Sequence, residues 1–286
     1  MIDLSDIGVL KGILYRHGFS LTKSLGQNFL IDPDVCPQMA KLSGAQKGVG
    51  VLEIGPGIGI LTAELAKLAE KVVAVELDKR LLPILSETLA EFDNLEIIND
   101  DILKLDLKKL IEEKFGGMRV VVCANLPYYI TSPVIMLLLE SRLPVEAVTV
   151  MVQKEAAERL CAPVGSRQAG AVTVAVDYYS KASQLFEVTR DSFLPAPKVD
   201  SRVIRFDIRT EPPISVKNEA GFFRMVKAAF GQRRKTAANG ISAGTGIEKG
   251  QIAAAIERAG FDPNVRAESL KMEELAKLFN EIENRI

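Results

Sequence analysis

A chain of 286 residues has the length of about two ordinary domains. Hydrophobic residues make up 48% and charged residues 26%, which excludes a disordered, collagen-like or disulfide-built chain. The 36 basic and 37 acidic residues nearly cancel, so the protein is no general polycation.

The first predicted element is a short helix over residues 5–17, capped by Ser5, with Ile7, Leu10, Ile13 and Leu14 as its apolar stripe and Gly18 as its stop. A polar, glycine-containing loop runs on to Gln27. From Val49 strands and helices alternate. Strands are expected at 49–54, 71–76, 95–98, 118–124 and 147–152. Helices are expected at 59–69, 79–92, 107–115, 132–141 and 153–161. The strands are rich in Val and Ile and apolar on both faces, the pattern of a parallel sheet covered by crossover helices. After Gly170 the segments VTVAVDYY, SQLFEV and RVIRFDI predict closing antiparallel strands. Glu211-Pro-Pro213 marks a boundary, and three amphipathic helices follow at 222–230, 251–259 and 272–282. The expectation is therefore an α/β sheet domain over residues 1–210 and a small all-helical domain over 211–286.

Cys36, Cys123 and Cys161 lie far apart with no C-x-x-C pair, which predicts a reduced, cytosolic, metal-free protein. His17 is the one histidine, too few for a Ser-His-Asp triad or a His-based metal site. The longest apolar run, Val134 to Leu139, is too short to cross a membrane. Asp3 and Asp6 precede any basic residue, the wrong order for a secretion leader. Charge is uneven locally. Residues 7–31 hold three basic residues and no acid, and residues 198–240 hold ten basic against four acidic. Such segments suit either a nucleic-acid face or an ordinary solvated surface.

Four loops could carry chemistry, each after a predicted strand. In EIGPGIGILT, Gly55, Gly57 and Gly59 stand between a strand and a helix, where backbone amides face a ligand. A tight turn alone would also need glycine. Glu76 ends the next strand, twenty-one residues beyond Gly55, where a carboxylate accepts from ribose hydroxyls. Asp101 follows the third strand and suits the amino group of an adenine; Asp100 could instead cap the next turn. The fourth loop, ANLPYYITSP, is the most specific. Asn125 and the Leu126 carbonyl offer two oxygens to one amine, Pro127 stiffens the loop, and Tyr128 supplies a flat ring.

The glycine loop, Glu76, Asp101 and N-L-P-Y together resemble a class I S-adenosylmethionine-dependent methyltransferase with its Rossmann-like sheet, acting on an exocyclic nitrogen. SLGQNFL (24–30), MVQKEAAERL (151–160), FLPAPKVDS (193–201) and FGQRRKT (230–236) narrow this to the bacterial ribosomal RNA small-subunit adenine dimethyltransferases. The likeness covers nearly the whole chain in order; Tyr129 departs from it, standing where the family often has Asn.

The resemblance implies that Asn28 and Leu30 join Gly55, Gly57, Glu76, Asp101 and Asn125 around S-adenosylmethionine. The implied substrate is the 3′-terminal hairpin of 16S rRNA in an immature 30S subunit, where two adjacent adenosines each receive two methyl groups. The family also serves as a checkpoint in ribosome assembly. A monomeric, cytoplasmic enzyme without metal is expected. Asn125, Leu126 and Tyr128 would grip the target base. Phe193 is a candidate for the opposite wall of its pocket, or else a core aromatic. Arg233, Arg234 and Lys235 would hold RNA phosphates, or else form a basic helix end. Three rivals share parts of this pattern: a large-subunit rRNA adenine methyltransferase of the macrolide-resistance type, a non-catalytic ribosome-assembly or RNA-binding factor, and a nicotinamide-dependent oxidoreductase. The last is disfavoured by glycine spacing, G-x-G-x-G in place of G-x-G-x-x-G.

Overall fold

The computed structural model describes residues 2, 4–20, 28–232 and 234–283. The chain forms two compact units: Met1–Ala157 with Ser183–Ile208, and Glu158–Ala182 with Arg209–Ile286. The second unit thus takes in 158–182 as well as the helical tail, a segment the expected division at 210/211 had left with the sheet.

The first unit opens with α1 (Ile7–Arg16). Its cap is Asp6 instead of the expected Ser5: Asp6 Oδ1 accepts from the amides of Gly8 (2.7 Å) and Val9 (2.9 Å). Leu10 and Ile13 face inward, into a cluster with Ile84 and Leu85. Two further elements lay hidden in the sequence. The strand β1 (Phe29–Leu30) is only two residues long, and α2 (Val35–Leu42) follows it.

The regular alternation then begins: β2 (Val49–Ile54), α3 (Ile60–Leu68), β3 (Lys71–Glu76), α4 (Leu82–Thr88), β4 (Leu95–Asn99), α5 (Leu107–Phe115), β5 (Arg119–Asn125), α6 (Thr131–Glu140), β6 (Ala147–Gln153) and α7 (Lys154–Leu160). After α8 (Ala171–Tyr179) come β7 (Ser180–Val188), β8 (Phe193–Leu194) and β9 (Ser201–Ile208). Seven strands form one sheet in the order β4-β3-β2-β5-β6-β9-β7. Pairing is parallel from β4 through β6 and antiparallel between β6 and β9. All six residues of β2 are buried, as a strand covered on both faces requires. Gly50 lies under the Phe115 ring of α5, where a β-carbon would approach to 2.3 Å. The chain runs outward from β2 through β3 to β4, then returns to β5 on the other side of β2. That reversal opens a crevice beyond the carboxyl ends of β2 and β5. β1 and β8 form a separate antiparallel ribbon, with Phe29 opposite Leu194 and Leu30 opposite Phe193.

In the second unit, VTVAVDYY is helix α8, not the expected strand. An apolar run of that length has no decisive period, and burial decides it. Val174, Ala175, Val176, Tyr178 and Tyr179 are all buried, and both tyrosines donate to Glu219, at 3.0 and 2.7 Å. Glu219 begins α9 (Glu219–Phe230), followed by α10 (Ala237–Thr245), α11 (Lys249–Arg258) and α12 (Met272–Ile282). Helix α10 was not expected, because AANGISAGT carries two glycines. They serve close packing: a β-carbon on Gly240 would stand 2.7 Å from the Ala229 carbonyl oxygen, and one on Gly244 would stand 2.5 Å from Ala228 Cβ.

Candidate active site

The site is assembled by the loops that leave β2, β3, β4 and β5. Gly55, Gly57 and Gly59 all have positive φ, at 69°, 62° and 94°. Only glycine adopts these angles readily, so the turn from β2 to α3 needs them. They differ in what surrounds them. A β-carbon at Gly59 would meet Leu89 at 3.0 Å, whereas one at Gly55 would meet nothing within 4 Å. Gly59 therefore serves packing, and Gly55 borders open space.

Glu76 ends β3 and is almost fully buried. Its Oε2 accepts from the Gly57 amide at 3.2 Å and its Oε1 from the Asp78 amide at 2.7 Å. Burial raises the Glu76 pKa, and those two amide bonds oppose the rise. Asp78 in turn chelates Arg80 through Nε (2.8 Å) and Nη2 (2.5 Å), and the guanidinium lies 5.0 Å from the Phe19 ring centroid. After β4, Asp100 Oδ1 accepts from the Asp101 amide at 2.7 Å. It is Asp101 that caps the next turn, accepting from the Leu103 amide at 3.1 Å, with Lys104 Nζ at 3.3 Å from its other oxygen.

β5 ends in Asn125, and the Leu126 amide donates to the Met151 carbonyl of β6 at 3.2 Å. The turn closes when the Ile130 amide donates to the Pro127 carbonyl at 3.1 Å, and α6 starts at once. Tyr128 is half-buried and its hydroxyl shares a 2.9 Å hydrogen bond with Ser201 Oγ. Tyr129 is 52% exposed; partial burial and the carboxylates of Asp101 and Glu76 push its phenol up.

One pocket brings these loops together. Its lining includes Asn28, Leu30, Gly55, Gly57, Glu76, Asp101, Asn125, Leu126, Tyr128 and Phe193. These are the ten residues expected at the cofactor and target base, drawn from six separate stretches of chain. Leu30 and Phe193 arrive as paired residues of the β1–β8 ribbon.

One lining residue was quoted within the glycine motif and given no role. Glu53 is 1% exposed, and its Oε2 finds no hydrogen-bond partner among the described residues. Burial pushes its carboxyl from the ordinary 4.5 up to about 8; the neighbouring Thr62 hydroxyl pulls it down and Glu76 adds to the rise. The signal was present in VGVLEI, a strand buried on both faces that nevertheless carries a charge.

Two residues of the basic cluster sit in the turn between α9 and α10. Arg234 and Lys235 are exposed, and Arg233 lies outside the described residues. In the other basic segment Lys11 is exposed, Arg16 and His17 both bond to Glu87, and Lys23 lies outside the described residues. Among the described residues no cluster of three or more His, Cys, Asp or Glu could hold a metal ion, and no helix is long and apolar enough to cross a membrane.

Known proteins with this arrangement are extensive. The ribosomal RNA adenine dimethylase family model matches residues 18–284. The ribosomal RNA small subunit methyltransferase A of Geobacillus thermodenitrificans is 49% identical over 97% of this chain and 96% of its own length. That of Clostridioides difficile is 44% identical over 100% and 99%. Among solved structures, a dimethyladenosine transferase from Plasmodium falciparum aligns with a TM-score of 0.73 at 26% identity, covering 90% of this chain and 98% of that one. The 23S rRNA methyltransferase ErmE aligns at 0.67 and 27% identity, covering 90% and 100%. Motif order, sheet topology and end-to-end identity agree, and the chain belongs to the ribosomal RNA adenine dimethylase family.

Proposed function

We propose that this enzyme moves methyl groups from S-adenosylmethionine to the exocyclic amines of two adjacent adenosines in the 3′-terminal hairpin of 16S rRNA, two on each. It works as a cytoplasmic monomer on an immature 30S subunit. The carrying observation is the convergence of Glu76, Asp101 and the Asn125–Tyr128 loop on one pocket. The choice of small-subunit RNA rests on identities of 44–49% to small subunit methyltransferases A, against 27% to the 23S enzyme.

The residues present fit S-adenosylmethionine. Gly55 leaves open space for a ligand against the backbone. Glu76 offers a carboxylate to the ribose hydroxyls, and Asp101 one to the adenine amine. Glu53 carries a buried oxygen lacking a partner among the described residues, which suits the ammonium of the methionine part. When bound, the cofactor supplies a methyl group on a positively charged sulfur.

The protein's own contribution is alignment and electrostatics. An adenine amine is a weak nucleophile because its lone pair is delocalised into the ring. Hydrogen bonds from that amine to the Asn125 side-chain oxygen and the Leu126 carbonyl favour a pyramidal nitrogen and stabilise its developing positive charge. Tyr128 stacks on the base, Phe193 walls its other side, and the amine is held in line with the methyl group. Arg233, Arg234 and Lys235 grip phosphates and so position the RNA.

The test is incubation with radiolabelled S-adenosylmethionine and 30S particles lacking the modification, followed by mapping of the label. Label on two adjacent adenosines near the 3′ end is expected. Label on large-subunit RNA would favour the macrolide-resistance type, and binding without transfer would favour an assembly factor.

A further inference from the structure

The motif FLPAPKVDS enters the site with its first residue, Phe193, yet its last residue makes the more specific contact. Ser201 opens β9, is completely buried, and lies opposite Gln153 in the β6–β9 pairing. Its hydroxyl bonds to the Tyr128 hydroxyl at 2.9 Å across 73 residues of sequence. The turn before it is held firmly. Asp200 Oδ1 accepts from the Arg190 amide at 3.0 Å, and the Asp200 carbonyl accepts from the Lys154 amide at 3.0 Å.

Tyr128, by contrast, stands on a loop. Its ring swings about the Cα–Cβ bond, and the phenol oxygen is the side-chain atom that this swing carries farthest. A bond at that tip therefore fixes where the long axis of the ring points, with the longest lever the side chain offers. The adjacent Tyr129 lies 52% exposed. Two neighbouring tyrosines on one loop thus differ in how far the fold encloses them, and the enclosed one carries the stacking role.

We infer that Ser201 is a positioning residue for methyl transfer: it holds the Tyr128 ring in the place where it receives the target adenine. The inference rests on the proposed function, since it needs a flat base to be stacked. It assigns the distal end of FLPAPKVDS, with Gln153 and Lys154 that brace it, to orienting the base rather than to binding cofactor.

The experiment is a double-mutant cycle with Ser201→Ala, Tyr128→Phe and the two combined, assayed by single-turnover transfer to unmethylated 30S particles at saturating S-adenosylmethionine. Each single change removes one side of the same bond and should slow transfer by about three- to tenfold, as loss of one hydrogen bond does. The combined variant should be no slower than either alone. S-adenosylmethionine affinity should stay at the wild-type value in all three, and Ser201→Thr, which keeps a hydroxyl, should recover most of the rate. Tyr128→Phe deletes a single oxygen, so it keeps the test valid if Ser201→Ala folds poorly. Wild-type rates in both single variants, or losses that multiply in the combined one, would overturn the inference. Failure of the wild-type enzyme to methylate the particles at all would instead strike the proposed function.

Discussion

Replacing Glu53 by Gln removes a buried carboxyl whose ionisation the pocket strongly opposes. In the folded protein the carboxyl ionises at about 8, in place of its ordinary 4.5. Between those values the folded state keeps a proton that the unfolded state has released, so stability falls as pH rises and levels off above about 8. At about 1.36 kcal/mol per pH unit, that interval sets a ceiling of about 5 kcal/mol. Water reaching the open side of the pocket reduces the penalty, and the expected loss between pH 5 and pH 8 is about 2–4 kcal/mol. Gln has nearly the same shape and no charge, so the Glu53→Gln profile should be flatter by that amount. Glu76, also raised by burial, stays in both proteins and cancels in the comparison. The measurement is the urea midpoint of cofactor-free protein, followed by circular dichroism at pH 5, 6, 7 and 8, with the slope m checked for constancy. S-adenosylmethionine should also flatten the wild-type curve, because an ammonium beside the carboxylate favours its charged form. Parallel curves for wild type and variant without cofactor would refute the reasoning.

Glu76→Ala should weaken S-adenosylmethionine binding by about 1.5–3 kcal/mol, the cost of losing a charged acceptor; calorimetry on the folded variant measures it, and an unchanged Kd would take Glu76 out of the site. Asn125→Ala should slow single-turnover transfer at saturating cofactor by roughly a hundredfold while particle binding persists. Changing Arg233, Arg234 and Lys235 together to Ala should flatten the plot of log affinity against log salt by about two to three units, and a wild-type slope would mark the cluster as ordinary solvated surface. Gly240→Val should lower stability by about 1–3 kcal/mol, since its side chain must displace the α9 backbone; a melting temperature equal to wild type would contradict the packing described for α10.

The parallel sheet was legible because its strands are short Val- and Ile-rich runs separated by helical periodicity. The site loops were legible for a related reason: in this fold each follows a strand, so a glycine turn, two acids and N-L-P-Y fall at one end of the sheet. What escaped was decided by tertiary contact. VTVAVDYY has the composition of a strand, and Glu219, forty residues on, supplies the acceptor that both buried tyrosines need in a helix. Gly240 and Gly244 argue against a helix on propensity alone, until α9 lies close enough to require them. Ser5 and Asp6 are equally good caps in sequence, and only the backbone angle chose Asp6. For Glu53 the sequence shows half of the story: an acid within VGVLEI, a strand buried on both faces, is visible there, but that its Oε2 meets no partner among the described residues is a property of the folded pocket.

The β1–β8 ribbon also sets an order of events at the ribosome that makes this protein. Asp32 and Ser192 are hydrogen-bonded across 160 residues of sequence, and the two ribbon strands lie just beside them. During translation the glycine turn and its acids emerge early, with strands that can already pair. The wall carried by Phe193 emerges only when most of the chain has been made, and Leu30 has no strand partner until then. Contacts of such long separation close last, because the intervening chain must first be ordered. Both walls of the pocket can therefore be present together only after residue 193 has been made.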